Sequence, residues 1–370
     1  MKRRLFSVIL MTSLLLSQVQ ATVIYVSAIN NSGTGTSWAS TTSLSSAVAN
    51  AASGDTIWAQ IGSYGFTHLF ISQDLYIFGG FAGWEVQLSD RVISVANMQN
   101  ASNASVLKGI QNTNASIFEI NMPGHCEIDG FILEGAGRPG VTQGAGINSY
   151  GYGSLELNIR HVIFRGNKGL SGGGAYLHRT RANISQSVFY DNEVMDCGGG
   201  LFLSICNNTE LVNVLFYKNR TNGSYLSTNR GGAIYVETTQ AIFNHITTDQ
   251  NMVQPTLTGV HADTSQLEIY NSIINDKVEL DINSIVNYED CYLFGLSNLL
   301  GGSVANYAGN MFYGNASGEF VSPPIDYHLT PASICIDAGN PVNGTIVPID
   351  IEGTPRPQGN AEDIGAYECY

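Results

Sequence analysis

Charged residues are scarce in this sequence, and those present are unbalanced. Only 12% of the 370 residues are Asp, Glu, Lys or Arg, and the acidic residues outnumber the basic ones by 30 to 16. A formal net charge of −14 argues against a nucleic-acid partner, because binding to phosphates requires clustered cations. The surface must instead consist largely of Asn, Ser, Thr and Gly, which is typical of strands and turns rather than helices.

Long apolar runs are absent beyond the N-terminus. Residues 5–16 are mostly apolar but too few for a membrane-spanning helix, which needs about 20 residues. Three cations at positions 2–4 precede this run and the small-residue site Val19-Gln20-Ala21 follows it, so residues 1–21 are predicted to be an export signal. The mature chain, residues 22–370, would have no transmembrane segment and a formal charge of about −17. We expect it to be secreted or displayed on a bacterial cell surface.

Cysteine is infrequent, and its six copies leave two alternatives open. In an exported protein they permit up to three disulfides, of which Cys335–Cys369 is preferred because both residues lie in the terminal segment. Alternatively they are thiols packed between strands, since unpaired Cys is among the most buried residue types. No cofactor or metal site is predicted, because the sequence contains neither a calcium-loop motif nor histidines at zinc-ligand spacing.

The middle of the chain contains an internal repeat. Three glycine clusters each open a strand-like segment, and Phe-x-x-Asn occurs three times with its Phe residues 25 and 27 positions apart. Units of nearly constant length indicate a solenoid in which each repeat stacks on the next. The glycine-led segments are 172–177, 198–203 and 231–236, and the Phe-x-x-Asn motifs are 164–167, 189–192 and 216–219.

A polar residue precedes each Phe-x-x-Asn motif in one register. Equivalent residues of neighbouring coils in a parallel stack lie about 4.8 Å apart, which is close enough for side-chain amides to hydrogen-bond along the stack. We therefore predict a polar ladder at this position, with the adjacent Val, Ile and Phe residues filling the interior. The ladder residues are His161, Gln186 and Asn213, with Asp129, Asn244 and Asn271 extending the series less regularly.

These patterns predict an all-β protein with a right-handed parallel β-helix as its single domain, residues 22–370. An antiparallel sandwich also has short strands and turns, but it does not require a constant offset between the glycine cluster and Phe-x-x-Asn. One short helix is predicted at residues 43–52, with Ser43 as its N-cap. This helix, within an N-terminal cap of residues 22–60, would cover the open end of the solenoid. Residues 320–370 would form a C-terminal closing segment.

Several of these segments resemble known β-helix proteins. Ser53-Gly54-Asp55-Thr56-Ile57-Trp58 resembles the opening of secreted right-handed β-helix proteins of Bacteroidetes. Phe78-Gly79-Gly80-Phe81-Ala82-Gly83-Trp84-Glu85 resembles their next recognisable segment, and Asp363-Ile364-Gly365-Ala366-Tyr367-Glu368 resembles their end. The repeats resemble those of chlamydial-type polymorphic outer membrane proteins. An anchoring module often follows in that group, whereas only two residues follow here, so we expect no anchor. The resemblance implies architecture and surface or secreted location, but no particular activity.

One basic cluster occurs in this acidic chain and defines a candidate catalytic site. A polysaccharide lyase needs a base that removes the proton beside a uronate carboxylate and a cation that neutralises that carboxylate. The cluster spans two adjacent coils, so several of its side chains could project from one face. The alternative is a solvated face with one histidine in the polar ladder. The candidates are Arg160, His161, Arg165, Lys168, His178, Arg179 and Arg181.

Recurring tyrosines indicate a binding surface instead. Exposed tyrosines on a flat sheet can stack on sugar rings, although strand alternation directs about half of them inward. The candidates are Tyr176, Tyr190, Tyr217 and Tyr235. The acidic residues near the C-terminus surround Arg356, and we interpret them as an ion-pair clasp rather than a metal site.

The sequence is compatible with three functions. The first is a non-enzymatic surface or secreted protein that binds an extracellular polysaccharide or another cell-surface component. The second is a polysaccharide-degrading enzyme, specifically a lyase centred on the basic cluster. The third is a structural stalk without a small ligand.

Overall fold

The chain forms a parallel β-helix in which successive coils stack along one axis. The computed structural model describes residues 21–223, 230–254, 258–295, 297–342 and 345–369. The predicted export signal lies outside the described residues except for Ala21. Strands of successive coils pair in parallel throughout the main sheet. The predicted all-β, right-handed parallel β-helix is therefore confirmed, and an antiparallel sandwich is excluded.

Short elements alternate with tight bends along the described residues. The helices are α1 Leu44–Asn50 and α2 Val95–Gln99, with 3-10 turns at Trp38–Ser40, Leu88–Asp90, Ala101–Asn103 and Ala316–Gly318. The strands are β1 Val23–Val26, β2 Asp55–Gln60, β3 Gly62–Thr67, β4 Leu69–Ile71, β5 Leu75–Phe81, β6 Ser105–Gly109, β7 Phe118–Asn121, β8 Gly124–Glu134, β9 Ile147–Arg165, β10 Lys168–Gly169, β11 Ala175–Tyr190, β12 Glu193–Val194, β13 Leu201–Ser204, β14 Thr209–Tyr217, β15 Arg220–Thr221, β16 Ile234–Glu237, β17 Gln240–Asp249, β18 Met252–Val253, β19 Thr258–Asp263, β20 Gln266–Tyr270, β21 Ile273–Ile274, β22 Lys277–Asp281, β23 Ile285–Leu293, β24 Asn298–Leu299, β25 Val304–Tyr313, β26 Phe320–Ser322 and β27 Asp326–Leu329.

Each coil of the repeat region passes through three parallel sheets, here named A, B and C. In the coil of β11, residues 175–178 lie in sheet A, residues 180–185 in sheet B and residues 187–190 in sheet C. A short fourth sheet of β10, β12, β15 and β18 follows sheet C. The glycine clusters connect this fourth sheet to sheet A of the next coil, where backbone atoms of adjacent coils approach too closely for a Cβ atom.

One residue per coil forms the bend between sheets B and C. These residues have positive φ angles, which redirect the chain within a single position. Their side chains are mostly polar, and the register places Gln186 directly opposite Asn213. The residues with their φ angles are His161 at 47°, Gln186 at 45°, Asn213 at 54°, His245 at 53° and Asn271 at 46°.

The predicted polar ladder is wrong by one position at two places. Val212 pairs with Asn244, so His245 occupies the bend column instead of Asn244. Asp129 pairs with Arg160 at the end of sheet B, one position before the bend. The spacing between coils varies with connection length, so counting from the Phe residues misplaces these residues by one.

A continuous side-chain ladder does exist, and three of its five residues are the Asn of Phe-x-x-Asn. The Nδ2 atom of each residue donates to the side-chain oxygen of the next across 2.7 to 3.1 Å, and each backbone N–H donates to the same next residue. All of these side chains are buried. They lie inside the turn after sheet C, whereas the bend residues contact other segments. The ladder residues are Asn167, Asn192, Asn219, Asn251 and Asp276.

The interior is a column of stacked apolar side chains. The rings of Phe164 and Phe189 lie 4.3 Å apart, and those of Phe189 and Phe216 lie 4.7 Å apart, in both cases nearly parallel. All three side chains are fully buried. Because the coils are in register, each such ring is removed from water by its neighbours, which stabilises the stack by about 2 kcal/mol per ring.

The predicted N-terminal capping helix is confirmed. Ser43 caps α1, because its side-chain oxygen accepts a hydrogen bond from the N–H of Ser46. The apolar side of α1 is buried against the first coils through Leu44, Ala47 and Val48. The amphipathic spacing therefore buries the apolar face of α1 at the N-terminal end of the solenoid.

The C-terminal segment lies lengthwise over the outer face of sheet C. It contacts the bend column through Asp350, whose carbonyl accepts from Gln186, and Glu362, whose carboxylate lies 2.9 Å from His245 Nε2. The buried Arg356 lies at its centre, with Nη1 2.9 Å from Glu368 Oε2. Of the acidic residues near the C-terminus, Glu368 forms an ion pair with Arg356, here called the clasp, whereas Glu352 Oε2 lies 3.2 Å from His328 Nε2.

The predicted disulfide between Cys335 and Cys369 is not observed. Cys335 is a buried free thiol. Cys126, Cys206 and Cys291 are also buried free thiols within the main apolar core. Burial raises the pKa of Cys206 to about 11, which keeps this thiol protonated and unreactive at neutral pH.

Candidate functional site

The predicted basic cluster is distributed around the coil instead of forming one site. Arg160 is exposed on sheet B, whereas Arg165 is half-buried at the end of sheet C. His161 is almost buried at the bend, with Nδ1 2.9 Å from Asp129 Oδ1. Lys168 lies in the short fourth sheet. These four residues therefore face different directions, and the structure does not bring them together.

The other basic candidates lie at the corner between sheets A and B. Arg179 forms the bend there with a φ of 50°, and it lines a cavity of about 370 Å³ together with Arg181 and the exposed Tyr152. Arg181 also lines an adjoining cavity of about 390 Å³ on sheet B. His178 lies on sheet A, with Nδ1 3.2 Å from the hydroxyl of Ser204. Arg179 and Arg181 therefore form an exposed basic surface at this corner, separate from Arg165.

Two of the candidate tyrosines are buried on the outer face of sheet A. Tyr176 and Tyr235 are 8% and 6% exposed, and both pack edge-on against Phe202 with ring centroids 4.9 and 4.8 Å apart. Their faces are therefore not open to a sugar ring.

The other two tyrosines stack on each other along sheet C. The rings of Tyr190 and Tyr217 are nearly parallel with centroids 4.9 Å apart. Tyr217 also contacts Tyr327 of the C-terminal segment, with ring centroids 5.4 Å apart. Because their ring faces are covered by each other, Tyr190 and Tyr217 offer a ligand their hydroxyls and ring edges, and not a ring face on which a sugar could stack.

A groove on the outer face of sheet C brings together Arg165 and Tyr190 from the predicted candidates. Its cavity has a volume of about 660 Å³. We call it the sheet C groove, and its lining residues are Lys108, Gly109, Ile110, Gln111, Glu134, Gly135, Arg165, Gly166, Tyr190 and Asp191. A ligand in this groove would contact charged, amide and hydroxyl groups.

The polar residues of the groove form a row across successive coils. Lys108 pairs with Glu134, Glu134 with Arg165, and Arg165 with Tyr190 in the sheet register. Tyr190 then pairs with Tyr217 on the following coil. Adjacent residues of the row are therefore about 4.8 Å apart along the axis, and the row spans about 19 Å.

Arg165 is fixed in place by its neighbours. Its Nε and Nη2 atoms lie 2.6 and 2.5 Å from Glu134 Oε2, and its Nη1 donates to the hydroxyl of Tyr190 at 3.4 Å. Burial opposes its charge, but the contacts with Tyr190 and Glu134 prevail and raise the pKa of Arg165. Arg165 is thus a permanent cation that can bind and orient a ligand, but it cannot act as a base.

One end of the groove continues between sheet C and the C-terminal segment. A smaller cavity of about 170 Å³ shares Arg165 and Tyr190 with it. Its base consists of Ile163 and Val188, and Tyr327 belongs to its opposite wall. The C-terminal segment therefore borders the groove as well as covering the sheet.

Sequence reasoning missed Lys108 and Glu134. Glu134 precedes the recognisable repeats, and its coil reads Phe131-Ile132-Leu133-Glu134 without the Asn of Phe-x-x-Asn. One sequence feature could have identified Glu134. Arg165, Tyr190 and Tyr217 each directly follow the Phe of a Phe-x-x-Asn motif, so this position forms one row on the surface. Glu134 follows Leu133, which pairs with Phe164, and so it occupies the same position.

Among the described residues, no three His, Cys, Asp or Glu side chains are arranged to hold a metal ion. None of the helices in the described part of the chain is long and apolar enough to cross a membrane.

The comparisons with known proteins support a β-helix repeat protein. The Chlamydia polymorphic membrane protein (Chlamydia_PMP) repeat model matches residues 213–237. The crystal structure of pectate lyase Pel9A is similar with a TM-score of 0.53 and 12% identity, covering 94% of this chain and 96% of that one. At this identity the likeness shows the fold alone.

A second solved structure is much less similar. The A-module of the Azotobacter vinelandii mannuronan C-5 epimerase AlgE6 has a TM-score of 0.18 and 10% identity, covering 73% of this chain and 93% of that one, and it supports no conclusion. No curated protein sequence matches the chain. The chain is therefore a parallel β-helix repeat protein.

Proposed function

We propose that this protein is an exported β-helix protein that binds an extended neutral polysaccharide in the sheet C groove without cleaving it. The observation that supports this proposal best is the row of Lys108, Glu134, Arg165 and Tyr190 across consecutive coils. A polymer with a repeating unit can hydrogen-bond to a repeating row of donors and acceptors, and each coil adds another contact.

The charges of the groove favour a neutral ligand. Lys108 lies 3.9 Å from Glu134, and Asp191 lies 2.7 Å from Arg220, so cations and carboxylates alternate in close pairs. The chain as a whole has a net charge of −14, which repels a polyanion at long range. Hydroxyl groups of a neutral sugar can accept from the cations and donate to the carboxylates without disturbing these pairs.

The same pairing argues for binding rather than catalysis. Proton abstraction requires a group that is deprotonated at neutral pH within reach of the substrate. Arg165 remains charged, and Glu134 accepts a hydrogen bond from its Nε atom and forms an ion pair with its Nη2 atom. The groove therefore offers positioned hydrogen-bonding groups and no free base next to its central cation.

Export to the cell surface or the medium is part of this proposal. The residues at positions 1–21 have the composition of an export signal, and the polymorphic membrane protein repeat model matches residues 213–237. We also propose that this chain is a secreted β-helix protein of the Bacteroidetes type, which its sequence resembles. An exported β-helix meets polysaccharides of the cell envelope or the surroundings.

A glycan array followed by incubation with polysaccharides tests this function. We expect retention on neutral polysaccharides and no release of shorter products. Release of unsaturated uronates from an acidic polymer would replace binding with lyase activity, and absence of any binding would leave the structural stalk.

The corner between sheets A and B supports lyase activity as a second candidate function. Arg179 and Arg181 are both exposed there beside Tyr152 in adjoining cavities, so two cations can meet one uronate carboxylate. Pectate lyase Pel9A, which shares the fold, suggests a polyuronate as the substrate of this alternative. Arg179→Ala combined with Arg181→Ala should then abolish any uronate-releasing activity, and retained turnover would remove this corner as its site.

A further inference from the structure

The two ends of the solenoid differ in how they are covered. The N-terminal end packs against α1, with Leu44 and Val48 buried. At the other end, no described strand pairs with the outer edge of β25, whose inner edge pairs with β23. The C-terminal segment extends along sheet C after this last coil instead of placing a helix across it.

The last coil exposes apolar side chains that are buried in earlier coils. Ala305, Tyr307 and Met311 continue the inward-facing columns but are only half-buried. In the preceding coil their register partners Val286, Tyr288 and Cys291 are at most 1% exposed. Further exposed apolar residues surround this end, namely Phe294 at 44%, Leu299 at 46%, Leu300 at 50%, Val304 at 45% and Tyr313 at 49%.

The backbone of this edge is also available for pairing. The N–H of Val304 donates to the carbonyl of Ser284 in the preceding coil. Since successive N–H groups of a strand point to opposite sides, those of Ala305 and Tyr307 point to the open side. Exposed edges of this kind are templates for another strand, and soluble proteins usually protect them with charges or proline.

Such protection is missing here in an otherwise acidic protein. The sequence from residue 291 to residue 318 contains no Asp, Glu, Lys, Arg or His and no Pro, although the chain has 30 acidic residues. Two copies of this protein repel each other at most other surfaces, but not at this end. The edge is therefore compatible with a second copy of itself.

We propose that the protein forms a dimer through this end, with β25 of one copy paired to β25 of a second copy. A two-fold axis makes such an interface self-complementary, because each strand presents the same edge to the other in antiparallel orientation. The part of β25 that lies in sheet B, residues 304–308, would provide an edge of about 16 Å, because the strand bends at Gly309. Assembly stops at two copies, since α1 covers the opposite end of each solenoid. This proposal is independent of the sheet C groove.

Sedimentation velocity over a range of concentrations tests the dimer directly. Wild type should shift from monomer to dimer as its concentration rises. Val304→Lys places a charge on the unpaired edge strand of each copy, the device by which soluble proteins prevent edge pairing, and should weaken association by at least about tenfold. The matched control is Val141→Lys, because Val141 is also an exposed valine at 40% but lies in a turn of the middle coils. This control should dimerise like wild type.

Hydrogen exchange of the wild-type protein gives a second test that needs no variant. Amides of residues 304–308 should exchange more slowly in concentrated than in dilute samples, while those of β1 should not change. A wild type that stays monomeric at all concentrations would overturn the proposal. A dimer that Val304→Lys leaves intact, or that protects other strands, would equally overturn it by placing the interface elsewhere.

Discussion

Asn192 donates from its Nδ2 atom to the Oδ1 atom of Asn219 across 2.9 Å, inside the turn that follows sheet C. The same Nδ2 donates to the carbonyl of Phe164, while Asn192 Oδ1 accepts from both nitrogens of Asn167. Asn192→Ala removes all of these bonds and leaves buried partners unsatisfied. We expect it to lower the free energy of unfolding by about 3 kcal/mol, measured by denaturant titration.

Asn183 provides the control for this prediction. It also donates to an asparagine of the neighbouring coil, Asn158, but on the solvent side of sheet B. Asn183→Ala should change the free energy of unfolding by less than about 0.5 kcal/mol. If both variants lost the same free energy of unfolding, the buried ladder would contribute no more to stability than a hydrogen bond at the surface.

The ladder ends at Asp276, and this residue should make stability depend on pH. Burial, reinforced by the charge of Asp249 and opposed by hydrogen bonds from Asn251, raises the pKa of Asp276 from 3.8 to about 7. The folded state therefore holds a proton that the unfolded state loses above pH 4, so stability falls as pH rises from about 4 to 7. Between these pH values the free energy of unfolding falls by at most about 4 kcal/mol because of Asp276.

Asp276→Asn tests this dependence, because an amide at this position continues the ladder without titrating. The variant should become progressively more stable than wild type as the pH is raised from 4 to 7, in unfolding titrations at several pH values. A difference that stays constant with pH would contradict the assignment to Asp276.

Arg356 should hold the C-terminal segment on the bend column. Its Nη1 atom bonds to Glu368 and to the carbonyl of Asp363, and Nη2 bonds to the carbonyl of Gly365. Removing one member of a buried ion pair costs about 3 to 5 kcal/mol, and lysine cannot replace the two-pronged guanidinium. We expect Arg356→Ala and Arg356→Lys both to lower the melting temperature.

Limited proteolysis identifies where this loss acts. Both Arg356 variants should be cleaved first between residues 335 and 369, while Arg160→Ala, at an exposed arginine on sheet B, should resist like wild type. First cleavage within the central coils would mean that the clasp stabilises the whole solenoid rather than its own segment.

The sequence was sufficient for the architecture because the repeat determines it. A constant offset between glycine clusters and Phe-x-x-Asn specifies stacked coils, and Ser43 with its apolar spacing specifies the capping helix. The function of the Asn in the motif was not apparent, because a one-dimensional pattern does not show on which side of a tight turn a side chain lies. The sequence pattern therefore predicts the ladder at His161, Gln186 and Asn213 instead.

The candidate site was less predictable for a related reason. Residues that are close in sequence, such as Arg160 and Arg165, lie on different sheets, whereas Glu134 and Arg165 are 31 positions apart and share an ion pair. In a solenoid, surface sites form between coils and not along them. Sites of this kind can be found from the sequence only after the register of every coil is known.

Calorimetric titration of a neutral polysaccharide identified on the array tests the central claim most directly. Arg165→Ala removes the central donor of the sheet C groove, and Arg160→Ala removes an exposed arginine of the same coil outside it. We predict a loss of affinity of about tenfold or more for Arg165→Ala and none for Arg160→Ala. Unchanged affinity in Arg165→Ala would show that the groove is not the binding site.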